Sequence, residues 1–119
     1  MDWGAYYASK TGTRPPASMV KPHAHHIVFK GTFARSPGMQ KALERSRAVL
    51  DKYKIDAVND PAAMMWAENQ GHTIANARLV ASKLEAADKA VMARDLPFKD
   101  AVSEMKSELQ KIGTEIFGS

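Results

Sequence analysis

All four histidines fall in two short segments, and that clustering constrains the chain more than any other feature. Three stand in Pro22-His23-Ala24-His25-His26-Ile27-Val28-Phe29-Lys30, and the fourth in Met64-Met65-Trp66-Ala67-Glu68-Asn69-Gln70-Gly71-His72-Thr73-Ile74-Ala75-Asn76. Cysteine is absent, which removes disulfides, thiolate zinc sites and cysteine nucleophiles in one step. A metal ion held by this chain must therefore take imidazole, carboxylate, amide oxygen or water.

The 119 residues suffice for one hydrophobic core, and no apolar run approaches the ~18 residues of a membrane span. The first residues lack the basic and apolar regions of a secretory leader. The net charge of +4 is a mild bias that suits a polyanionic partner. Residues 1–22 are rich in Gly, Ser, Thr and Pro and read as an irregular lead-in or linker remnant, pinned to the body by Trp3, Tyr6 and Tyr7. The domain proper is expected over residues 23–119.

Within it, residues 25–30 carry Ile27, Val28 and Phe29, a β-branched and aromatic run that predicts a strand. Ser36 as N-cap and Pro37 at the first helical position open a helix to about Lys54, with Met39, Ala42, Leu43, Val49, Leu50 and Tyr53 on its apolar face. Asn59-Asp60-Pro61 marks a turn. Residues 64–67 read as a second strand antiparallel to the first, with a helical turn as the alternative because methionine is a poor strand former. Residues 72–94 show helical periodicity through Ala77, Val80, Leu84, Ala87 and Val91. A last helix is expected over residues 97–112, burying Phe98, Ala101, Val102, Met105, Leu109 and Ile112, with Gly113 as its C-cap.

His72 and Asn76 are four apart, so on one helix they share a face, and an imidazole nitrogen and an amide oxygen could chelate one ion. In a strand, His23 and His25 point together and His26 points opposite. For His25 and His26 both to reach one phosphate, the strand must bend or bulge.

At this point the first segment resembles the signature of the AHH family within the HNH/endonuclease VII superfamily, nuclease domains found at the C-terminal end of bacterial polymorphic toxins. The likeness continues through Leu50-Asp51-Lys52-Tyr53-Lys54-Ile55-Asp56, Trp66-Ala67-Glu68-Asn69 and Gly71-His72, spanning residues 19–93. It implies an α+β fold, mostly helical, with a ββα-metal (HNH-like) core and additional packing helices. It also implies that His25, His72 and Asn76 are metal ligands and that His26 is the general base. His23 and Asn69 would lend support. Family members often carry Asn before the apolar pair preceding the Trp, where it braces the loop that orients the base. This chain has Ala62-Ala63 there, so Asn59 or Asn69 must substitute, or activity falls.

The function so implied is a metal-dependent, non-specific DNA endonuclease acting as an antibacterial toxin module. It would be delivered by a secretion system as part of a larger protein, act in the target-cell cytoplasm, and be matched by an acidic immunity protein in the producer. A divalent ion neutralises charge that builds on a phosphodiester during attack, and a histidine near neutrality accepts the proton of the attacking water. Imidazole ligation favours Zn or Ni, while Mg or Mn needs waters and phosphate oxygens to complete the shell. Each ligand histidine should donate its other ring nitrogen to a carbonyl or a carboxylate, with Asp56, Asp60 and Glu68 as candidates. Lys21, Lys30, Arg35 and Arg78 flank the motifs as phosphate contacts, which position a substrate without reading its sequence. A ribonuclease on the same site remains an alternative, as does a non-catalytic, metal-stabilised binding module. The zinc deaminases need cysteines this chain lacks.

Overall fold

An antiparallel pair of strands brings the two histidine segments side by side. The computed structural model describes residues 2–31, 36–68 and 70–118. In it, β1 (Pro22–His26) pairs with β2 (Met64–Glu68), Pro22 lying opposite Glu68, His25 opposite Met65 and His26 opposite Met64. The strand predicted over residues 25–30 is thus displaced: the ladder starts at Pro22 and ends at His26. Ile27, Val28 and Phe29 follow the ladder as buried, irregular chain rather than as part of it. Ile27 still reaches across, donating its N–H to the Ala63 carbonyl.

The ladder is regular, so its side chains alternate. His25 faces His72 and Phe117, whereas Ala24 and His26 face the N-terminal helix. That helix, α1 (Trp3–Thr11), replaces the irregular lead-in expected for residues 1–22. Asp2 caps it by accepting from the Ala5 N–H, and Gly12 ends it in the left-handed region at φ 67°. Its aromatic residues do pin it down. Tyr7 packs on Trp66, Tyr6 donates its hydroxyl to the Asn59 carbonyl, and Trp3 lies over His26.

α2 (Pro37–Lys52) begins as expected, with Ser36 accepting from the Met39 N–H. A single 3-10 turn, Pro61–Ala63, follows the Asn-Asp-Pro signal and leads straight into β2. α3 (Ile74–Ala93) starts two residues later than predicted, because the Thr73 hydroxyl accepts from the Asn76 N–H and so fixes the N-cap there. α3 packs on α2 through Leu84, Val80 and Leu50, tied at the rim by Arg45–Glu85 and by Lys52 and Tyr53 on Asp88.

α4 (Phe98–Phe117) runs well past the predicted stop. Gly113 is not a cap but a buried interior position: a Cβ there would come within 2.7 Å of Ile27 Cδ1 and 2.9 Å of Met65 Sδ. At this point the helix approaches the sheet too closely to carry a side chain. Phe98, predicted to be buried, is instead 54% exposed at the start of α4. The class is α+β and mostly helical, with four helices and one two-stranded antiparallel sheet among the described residues. None of the described helices is long and apolar enough to cross a membrane.

Candidate active site

His25 and His72 meet. Their ring centroids are 4.8 Å apart, with the planes tilted by 33°. β1 supplies the first ring and the approach to α3 supplies the second. His72 lies outside the helix, one residue before its Thr73 cap, so the expected chelate of His72 and Asn76 on successive helical turns does not form in that way. Asn76 sits instead in the first turn of α3, and its Nδ2 donates to the Gly71 carbonyl at 2.8 Å. Gly71 is held at φ 81°, and a Cβ on it would lie 3.3 Å from that same Nδ2, so the turn before His72 calls for glycine on both counts. With Nδ2 engaged, the amide oxygen Oδ1 is the atom of Asn76 able to ligate a cation.

Aromatic rings wall this pair. Phe117, at the end of α4, lies 4.3 Å from the His25 ring, and Phe29 lies 4.7 Å from that of His72. His25 has no exposed surface, and neither of its ring nitrogens finds a hydrogen-bond partner among the described residues. An imidazole buried this way strongly resists protonation. Desolvation is the main cause, and positive charge on His72, His23 or His26 would add to it, together pushing the pKa down to about 3. Burial lowers His72 as well, with His23 contributing. His23, half-buried on the same strand face, therefore stands close enough to be felt by both rings.

His26 lies on the opposite face of the sheet and is held differently. Its Nε2 donates to the Val58 carbonyl at 2.9 Å, and Trp3 packs edge-on against it at 4.7 Å. A carbonyl only accepts, so Nε2 carries the proton and Nδ1 keeps the lone pair of the neutral ring. Burial lowers its pKa, the Val58 hydrogen bond opposes that, and Lys30 and His23 lower it further. The Lys30 ammonium sits over the Trp3 ring at 5.3 Å. The bulge expected at His25 and His26 is absent from the paired register, and the turn of the chain comes after His26 instead.

The carboxylates expected to hold the second ring nitrogens are committed elsewhere. Asp56 organises the turn at residues 56–59, Asp60 caps the 3-10 turn and pairs with Lys106, and Glu68 accepts from the Val20 N–H. Ala63 has no exposed surface. Its surroundings are braced from outside: Gln110 of α4 donates to the carbonyls of Ala62 and Met64 at 2.6 and 2.8 Å. Asn59 does brace the loop next to His26, donating Nδ2 to Asp56 at 3.0 Å.

Of the expected phosphate contacts, Lys21 is exposed at the start of β1, Lys30 is near His26, and Arg78 is exposed on α3, beside Gly38 of α2. Arg35 and Asn69 lie outside the described residues. A cleft of about 520 Å³ opens next to the His72 side, bordered by Asn76, Gly71, Gln70 and Phe117. The sequence gives no sign of the roles of Trp3 and Phe117 at the two histidines, because both depend on helices whose extents it understates.

A cation fits these residues in one respect and not in another. The bare nitrogens of His25 beside His72 are what two metal-ligating imidazoles offer, and burying them without any partner is costly. Among the described residues, however, no three His, Asp or Glu side chains converge to hold a metal. The two imidazoles of His25 and His72 are the donors that the geometry brings together. No family model, no curated protein and no solved structure matches this chain.

Proposed function

We propose that the chain is a metal-dependent endonuclease that hydrolyses phosphodiester bonds in DNA without sequence preference, on a ββα-metal type of core. The observation that carries this reading is the meeting of His25 and His72 at 4.8 Å, with the nitrogens of His25 buried and unpartnered. His25, His72 and the Asn76 amide oxygen would hold one divalent ion: Zn or Ni by ligand softness, or Mg or Mn with waters completing the shell. When bound, the ion supplies neutralisation of the charge that builds on the phosphate and its departing 3′-oxygen.

The protein's own groups do the rest. The regular ladder holds His26 on the face opposite His25 and His72, so His26 could take the proton of the attacking water, at Nδ1 because Nε2–H is engaged by Val58, only once the strand bends. Its lowered pKa keeps it neutral at pH 7 and sets the acid limb of activity below pH 6.5. Lys30 and Lys21 hold backbone phosphates near β1, and Arg78 does so from α3. Because phosphates look alike to these groups, binding falls steeply with salt. From its likeness to toxin nuclease modules, the chain would be the effector part of a larger secreted protein, acting in the target-cell cytoplasm and neutralised by an acidic immunity protein.

A second reading is favoured by one observation: His25 is 0% and His26 4% exposed. A metal-stabilised, non-catalytic binding module needs no exposed base. Incubating the protein with supercoiled plasmid, and in parallel with total RNA, across Mg, Mn, Zn and Ni with and without EDTA separates the readings. Metal-dependent nicking supports the DNase. Cutting of RNA alone moves the substrate to RNA. Metal binding with no cutting of either favours the binding module.

A further inference from the structure

One of the rings that close the His25–His72 pair stands on a helix end that is weakly held. Phe117 is the last residue of α4. Its ring centroid lies 4.3 Å from that of His25, and the ring passes so close over Gly71 that a Cβ there would meet its Cδ1 at 3.5 Å. Phe117 also borders the cleft of about 520 Å³, together with Gly71 and Asn76. Among the described residues, neither His25 nor His72 lines that cleft. Phe117 thus stands between the cleft and His25, which has no exposed surface. We propose that Phe117 is a gate: fraying of the last turn of α4 swings its ring out and opens the cleft onto the His25–His72 pair, and re-forming of that turn shuts the pair again. What the gate admits, a cation and the phosphate it holds, rests on the reading of that pair as the metal centre.

The physical case lies in how this helix end is held. Phe29, the other aromatic ring on the pair, is buried in the core, whereas Phe117 is half-buried at a helix terminus. A helix ends firmly when a residue in the left-handed region folds back on its last carbonyls, and when a basic side chain answers the negative end of its dipole. α4 has neither. Gly118 is extended and closes the turn through its N–H, which donates to the Thr114 carbonyl at 2.9 Å. The last turn carries no basic residue but does carry the exposed Glu115 carboxylate, a charge of the sign that the dipole disfavours there, answered by Lys83 of α3 at 2.7 Å. Such helix ends open locally at small cost while the core stays closed. The Phe117 ring is held down by apolar contact with His25, Phe29 and Gly71. A ligand that binds better with the ring displaced would therefore shift the turn toward its open state.

The test uses the full chain, metal-free, and diethyl pyrocarbonate, a reagent that acylates accessible neutral imidazole nitrogens at pH 7. Peptide fragmentation in a mass spectrometer assigns the modification to each histidine. In the parent, His25 should react the slowest of the four. Phe117→Ala should raise the His25 rate about tenfold or more by removing the cover that local opening otherwise has to lift. It should leave the nitrogen-15 ring spectrum of His26, on the opposite face, unchanged, which separates an open gate from a loosened fold. Gly118→Ala attacks the same turn with the ring still present, because a Cβ there would run into the Thr114 carbonyl oxygen. It should raise the His25 rate in the same direction, and it carries the test should Phe117→Ala fail to fold. Zn uptake followed by stopped flow should level off with rising Zn in the parent, limited by opening, and should be faster in both variants. A folded Phe117→Ala or Gly118→Ala protein whose His25 reacts no faster than in the parent overturns the proposal. His25 unmasked in the variants, with no Zn taken up by any of the three proteins, would sink the metal-centre reading and leave the gate standing.

Discussion

The two faces of the β1–β2 pair treat their histidines in opposite ways. On one face, His25 is buried among Phe29, Phe117 and His72 with both nitrogens bare. On the other, His26 is nearly as deeply buried but carries a hydrogen bond to Val58 that settles which nitrogen is protonated. A bare buried imidazole is costly unless something outside the chain takes its lone pair; a partnered one is content as it stands. Adjacent residues of one strand thus have opposite surroundings, and alternation along the strand is what separates them. Each face is also closed by a different end of the chain, α4 over His25 and α1 over His26.

The sharpest way to break this comparison is to remove each ring in turn. His26→Ala should lower cutting by about 10²- to 10⁴-fold while metal affinity, read by calorimetry, stays near that of the parent. Equal loss of metal binding in His26→Ala would erase the distinction between the faces. The bare His25 should also leave a mark on acid stability. Its folded pKa of about 3 lies below the ordinary 6.5, so the unfolded chain takes up a proton first as pH falls. The stabilisation is complete above pH 6.5 and is lost progressively down to about pH 3, at about 1.4 kcal/mol per unit. Urea unfolding of the metal-free protein should thus lose about 3 kcal/mol from this group between pH 7 and pH 4. His25→Leu should flatten the curve by that amount; an unchanged slope would show that His25 titrates normally.

Smaller effects sharpen the picture face by face. Gly113→Ala forces a methyl against Ile27 and against Met65, the strand partner of His25, and should cost about 1–3 kcal/mol by overpacking without altering the His26 ring spectrum. Tyr6→Phe removes only the hydroxyl that anchors Asn59 on the α1 side, and should cost about 1 kcal/mol in the same unfolding assay. If Gly113→Ala disturbed His26, or Tyr6→Phe disturbed metal affinity, the two faces would be coupled rather than independent.

Much of this was legible beforehand because it depends on local spacing. The Ser36-Pro37 start of α2, the antiparallel pairing of residues 64–67 with the histidine strand, and the apolar stripe of α3 all follow from short-range pattern. The convergence of His25 with His72 was expected from motif likeness. What was missed depends on contacts made at a distance or on a cap read wrongly. Residues 1–22 looked irregular because Pro and Gly are frequent from Gly12 onward, which masked Asp2 as an N-cap and the i, i+3, i+4 set Trp3, Tyr6 and Tyr7. Gly113 looked like a terminus because glycine often is one. Here it marks the place where α4 touches the sheet, and the helix continues far enough to bring Phe117 onto His25. Thr73 outranked His72 as the start of α3, which moved that histidine off the helix. The second-nitrogen partner of His26 turned out to be a backbone carbonyl, which residue types cannot reveal.

The central claim is that His25 and His72 share one cation. Calorimetric titration of the parent, His25→Ala, His72→Ala and His26→Ala proteins with Zn and with Mn tests it most directly. One ion per chain should bind to the parent and to His26→Ala, and binding should disappear in both His25→Ala and His72→Ala. Binding that survives the loss of either His25 or His72, or a parent that takes up no ion while folded, would contradict it.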